Sequence, residues 1–144
     1  MSSKYFESKE VEAMASELIP SMELWSGAGV PKIKFLVLDA PRTSYLGKCS
    51  KATGKWKHLT GMDYVIEVWN GFWVTATQEQ KQALLYHELM HITSKEDDDT
   101  GEITWGLKKH DVEEFIDVVK NYGAWNDPLK YLHKFCEEHT MKNK

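Results

Sequence analysis

The sequence predicts an α+β fold: an N-terminal helix, a small twisted mixed sheet of three or four strands, one central helix carrying polar chemistry, and two C-terminal helices. Three observations lead there. Apolar residues recur at helical spacing in well-separated stretches, runs dense in β-branched and aromatic residues lie between them, and 144 residues suit one core. One domain over residues 1–144 is the expectation that follows.

Residues 10–25 place Val11, Met14, Ala15, Leu18, Met22 and Trp25 at helical spacing, with an interruption expected at Pro20. The stretch SGAGVP at 26–31 supplies the turn that ends this helix. KIKFLVLDA, closed by Pro41, reads as a strand. The polar segment 42–61 holds short strand-like pieces around residues 44–49 and a basic-aromatic cluster of Lys48, Lys51, Lys55, Lys57, Trp56 and His58, read as a solvated hairpin. DYVIEVWN, rich in Tyr, Val, Ile and Trp, is the second strand, with a turn at Asn70-Gly71. Thr77 followed three residues later by Gln80 marks a capping box, so a helix runs from about residue 79 to 94. Ile103, Trp105 and Leu107 alternate as a hairpin arm. Helical spacing returns from His110 to Tyr122, where Gly123 suits the C-terminal cap, and a last helix starts near Asp127-Pro128.

Composition narrows the function. With 42% hydrophobic and 28% charged residues the chain is that of an ordinary globular protein. The net charge of −4 disfavours nucleic-acid and anionic-membrane partners. No run approaches the ~20 apolar residues that span a bilayer, and the charged N-terminal stretch lacks a secretory signal pattern. Cys49 and Cys136 form no CxxC pair and are read as free thiols in a reducing compartment, so a cytoplasmic location is expected.

One stretch carries chemistry. In ALLYHELMHITS, His87, Glu88 and His91 interrupt an apolar run. Residues four apart on a helix are offset by about 40°, so the two imidazoles share a face, and Glu88 flanks the same space. This is the H-E-x-x-H spacing, in which two histidines bind zinc and the glutamate handles water. Random placement of the chain's histidines and glutamates yields roughly 0.02 such matches, which sets chance aside. A catalytic zinc site ordinarily takes three protein ligands. The spacing leaves His110, Glu113, Glu114, residues 97–99, His133 and His139 open as the third. Glu113 forms an ExxxD pair with Asp117, and Asp111, Glu113 or Glu114 could orient a ligand imidazole.

HELMHI followed by KKHDVEEF and NYGAW, and preceded by MDYVIEVWN, resembles the family of small metallopeptidases carried by bacteriophages and prophages, distantly similar to SprT-like zincins. The resemblance implies a minimal zincin-like domain, Zn²⁺ held by His87, His91 and His110, and Glu88 as the catalytic carboxylate. Glu113 stays the rival third ligand. It further implies hydrolysis of a protein or peptide substrate in the host cytoplasm. DYVIEVWN would be the strand beside the helix, with Tyr64, Ile66 and Val68 meeting an extended substrate by β-addition. A different class stays open: a catalytically inactive zincin scaffold that binds a host protein, its zinc structural.

Overall fold

The computed structural model describes residues 4–22, 25 and 27–142. The chain forms two compact units, Met1–Lys108 and Lys109–Lys144. In chain order the first holds β1 (Lys4–Phe6), α1 (Lys9–Met22), β2 (Ile33–Asp39), β3 (Gly47–Lys51), α2 (Gly54–Thr60), β4 (Tyr64–Trp69), α3 (Asn70–Trp73), α4 (Gln78–Met90), β5 (Ile92–Glu96) and β6 (Ile103–Leu107). The second holds α5 (Ile116–Tyr122) and α6 (Asp127–Lys142). The α+β class is therefore as expected, with six helices, a mixed four-stranded sheet and a separate two-stranded one among the described residues.

The large sheet has the order β1-β2-β4-β3. β2 and β4 run parallel, with Phe35 opposite Ile66 and Val37 opposite Val68. β1 and β3 pair antiparallel on the two outer sides. Because side chains alternate along a strand, Phe35, Val37, Tyr64, Ile66 and Val68 all bury on one face. α1 packs along β2, α4 along β3, and the two helices touch each other. Val11 and Ala15 from α1 and Leu85 and Leu89 from α4 complete the core, all without exposed surface.

Several expectations from the sequence need correction. α1 runs on through Pro20 to Met22, because a proline in the last turn leaves most of the helix's hydrogen bonds intact. Trp25 is not part of that helix: it is buried with φ 58°, and its Nε1 donates to Ile92 O at 3.0 Å. Residues 23, 24 and 26, which the expected helix and turn also covered, lie outside the described residues. Lys55, Trp56, Lys57 and His58 sit on a short helix, α2, rather than a hairpin loop. Asn70-Gly71 opens the helical turn α3 rather than a simple turn.

α4 begins as its capping box dictates. Thr77 Oγ1 accepts from Gln80 N at 3.1 Å, and the Gln80 side chain accepts from Thr77 N at 2.9 Å. It stops at Met90, four residues short of the expected end, because the β-branched Ile92 and Thr93 enter β5 and pair with Leu107 and Gly106. The β5–β6 hairpin closes over a turn in which Asp97 Oδ1 accepts from Asp99 N and Thr100 N, at 2.9 and 3.0 Å.

In the second unit, α5 starts at Ile116, not near His110. Glu114 accepts from Phe115 N at 3.0 Å and from Trp125 Nε1 at 3.1 Å. These bonds tie down the segment just before the helix. Gly123, at φ 65°, ends α5 as expected, and its N–H donates to Val119 O. Asn126 Oδ1 accepts from Leu129 N and so caps α6, whose first turn holds Pro128.

Candidate metal centre

α4 and its C-terminal end supply the first two histidines. His91 is the C-cap residue and keeps helical angles, φ −70° and ψ −20°, so it stays one turn from His87. Their rings meet edge to face, centroids 5.1 Å apart. The helix is not buried all round: Tyr86 and His87 are exposed, while Leu85, Glu88 and Leu89 are buried.

The end of the β5–β6 hairpin fixes the His91 ring. Lys108 N donates to His91 O at 2.6 Å, and His91 Nδ1 lies 2.7 Å from Lys108 O. A carbonyl oxygen only accepts, so Nδ1 carries the proton and Nε2 keeps its lone pair in the neutral ring. A ligand histidine is commonly held through its other nitrogen in this way. Two residues beyond Lys108 comes His110. His87, His91 and His110 each offer one ligand atom, and those atoms all lie within 4.8 Å of one another.

That group suits a divalent ion by a simple measure. Ligand nitrogens at about 2.0–2.1 Å from a tetrahedral zinc sit about 3.4 Å apart, a spacing inside the 4.8 Å that bounds this group. Three imidazoles also match the borderline-soft preference of zinc and leave a fourth position open.

Glu88 stands next to this group and is the one buried charged residue among those described, at 3% exposure. Its Oε1 lies 3.8 Å from His91 Nε2. Burial pushes its carboxyl above the ordinary carboxylate value; His91 opposes the shift, and the charge of Glu67 adds to it. Glu67 in turn accepts a hydrogen bond from the Tyr45 hydroxyl, which that bond pushes up to about 12. The Cys49 thiol, on β3, is pushed up to about 12 by burial first and by the Glu88 charge second.

The remaining sequence candidates fall elsewhere. Among the described residues the group holds no acidic member. Asp111 and Glu113 are exposed, and Glu114 is engaged by Trp125 and Phe115. Asp97 serves its own turn, and His133 pairs with Glu137 at 3.1 Å. Tyr64, Ile66 and Val68 cannot meet a substrate strand: β4 is an interior strand with β2 and β3 on its two edges, and all three side chains are fully buried. The Tyr64 hydroxyl donates to Gly106 O at 2.7 Å, which commits it to packing.

Two contributors escaped the sequence reading. The Lys108 carbonyl is backbone and leaves no residue-type signal. Glu67 was visible as the one charge inside YVIEVW.

An α+β fold bearing three convergent histidines beside a buried glutamate defines a protein equipped for a metal ion. The chain belongs to the family described as "Putative phage metallopeptidase", whose sequence model matches residues 3–138. No curated protein and no solved structure matches it. No helix among the described residues is long and apolar enough to cross a membrane.

Proposed function

We propose that residues 1–144 act as a single zincin-like domain, a zinc-dependent metallopeptidase that hydrolyses peptide bonds of a protein substrate in the host cytoplasm. The observation that carries this reading is the grouping of His87, His91 and His110 next to the buried Glu88. His87, His91 and His110 would hold Zn²⁺, whose contribution when bound is Lewis acidity at the open position.

Glu88 does the proton work. Its carboxylate accepts a proton from the attacking water and returns it to the leaving amine. Its own burial, at 3% exposure, keeps bulk water from competing for that proton. The Lys108 carbonyl keeps the His91 ring in one tautomer and one orientation throughout. For the substrate, β3 is an outer strand of the sheet and packs on α4, so its outer edge is the place where an extended peptide would pair.

Metal content of the protein purified without added metal, measured beside His91→Ala and His110→Ala, tests the reading. About one zinc per chain, lost or weakened in both variants, supports it. Zinc lost only in His91→Ala moves the third ligand to an acidic residue such as Glu113. A wild-type chain that stays metal-free when zinc is supplied overturns the peptidase reading in favour of a binding scaffold.

A further inference from the structure

Gly47 opens β3 and pairs with Val68 of β4, on the sheet face that meets α4. Glycine inside a strand is unfavourable unless something approaches the backbone closely. Backbone conformation does not demand it here, since Gly47 is absent from the glycines with positive φ. Space does. A Cβ at this position would lie 3.1 Å from Glu88 Oε2, 3.0 Å from Leu84 Cδ1 and 3.3 Å from Glu67 O.

These three neighbours differ in how they can yield. Leu84 offers the far end of a flexible side chain, and Glu67 O is backbone held in the sheet. Glu88 is 3% exposed, so its carboxylate has little room to retreat. From this geometry we infer that Gly47 is a positioning residue: its missing side chain is the space that the Glu88 carboxylate occupies, and it sets where that carboxylate stands. The inference rests on the reading of Glu88 as proton acceptor for its consequence, though not for the contact itself. A methyl group at residue 47 would displace Oε2 by a few tenths of an ångström, and proton transfer is sensitive to displacements of that size.

A stability cycle on the metal-free protein decides the contact. Gly47→Ala is placed in the wild-type, Glu88→Gln, Glu88→Ala and Leu84→Ala backgrounds, and thermal unfolding is followed for each. Gly47→Ala is expected to lower Tm by about 4 °C or more in the wild type and in Glu88→Gln, which keeps the bulk. In Glu88→Ala, where the space is vacated, at least half of that loss should disappear. No loss in the wild type, or relief in Leu84→Ala but not in Glu88→Ala, overturns the assignment. Should Gly47→Ala fail to fold, recovery of folding in the Gly47→Ala/Glu88→Ala double variant supports the inference, and its absence overturns it.

On the zinc-loaded protein, Gly47→Ala should keep its metal and its KM while kcat falls roughly tenfold. An unchanged kcat removes the positioning role. If the wild type cleaves nothing, the reading of Glu88 as proton acceptor fails by itself, and the unfolding cycle still reports on Gly47.

Discussion

Replacing Glu88 by glutamine should move stability and activity in opposite directions. The carboxylate is 3% exposed, and burial holds its carboxyl above the ordinary value, so the metal-free fold disfavours the ionised form of Glu88. Glutamine keeps the shape and removes the charge, leaving no cavity. Relief of a functional constraint of this kind is worth about 0.5–2 kcal/mol, and each kcal/mol moves Tm by about 2–4 °C in a chain of this length. Glu88→Gln should therefore melt several degrees above the wild type in chelator at pH 7.

The pH dependence carries the sign. A carboxyl whose folded value is raised contributes nothing adverse below its unfolded value of 4.5, where both states are protonated, and destabilises as pH rises through its folded value. The Tm advantage of Glu88→Gln should be absent at the acid end and widen toward neutrality. In the zinc-loaded form the same variant should lose about 10²–10⁴ in kcat, equivalent to about 2.7–5.5 kcal/mol of barrier. A drop in Tm for metal-free Glu88→Gln at pH 7 would show that the carboxylate stabilises the fold. Undiminished cleavage would remove Glu88 from the proton transfer.

Three further outcomes test the frame around the site. Leu85→Ala, at a position with no exposed surface, should lose about 2–5 kcal/mol in denaturant unfolding, and a loss under 1 kcal/mol would contradict the described core. Thr77→Ala removes one half of the capping box and should lower stability by about 1 kcal/mol, whereas Thr77→Ser should restore most of it. At pH 8 a thiol reagent should label exposed Cys136 quickly and reach Cys49, whose thiol is pushed up to about 12, only on unfolding; two fast thiols would refute the placement of β3 against α4.

The parts of this protein legible in the sequence are those set by local chemistry. Thr77 and Gln80 announce the start of α4, Gly123 the end of α5, and the spacing of His87 and His91 puts two imidazoles on one side of a helix whether it ends at Ser94 or Met90. What was misread depends on partners distant in sequence. YVIEVW has the composition of a strand in any position, and nothing in it says that β2 and β3 occupy both of its edges. Periodicity reports which face of a strand is apolar but is silent about its neighbours in the sheet, so the interior place of β4 was not legible. The same blindness covers the short range after Lys108. HDVEEFIDVV has helical spacing, but the bonds of Glu114 to Phe115 and Trp125 belong to the irregular segment before the helix, and α5 begins six residues beyond His110. By contrast, two hydrogen bonds between His91 and Lys108 join the end of α4 to the end of the β5–β6 hairpin, a pairing of residues 17 apart that no local pattern announces.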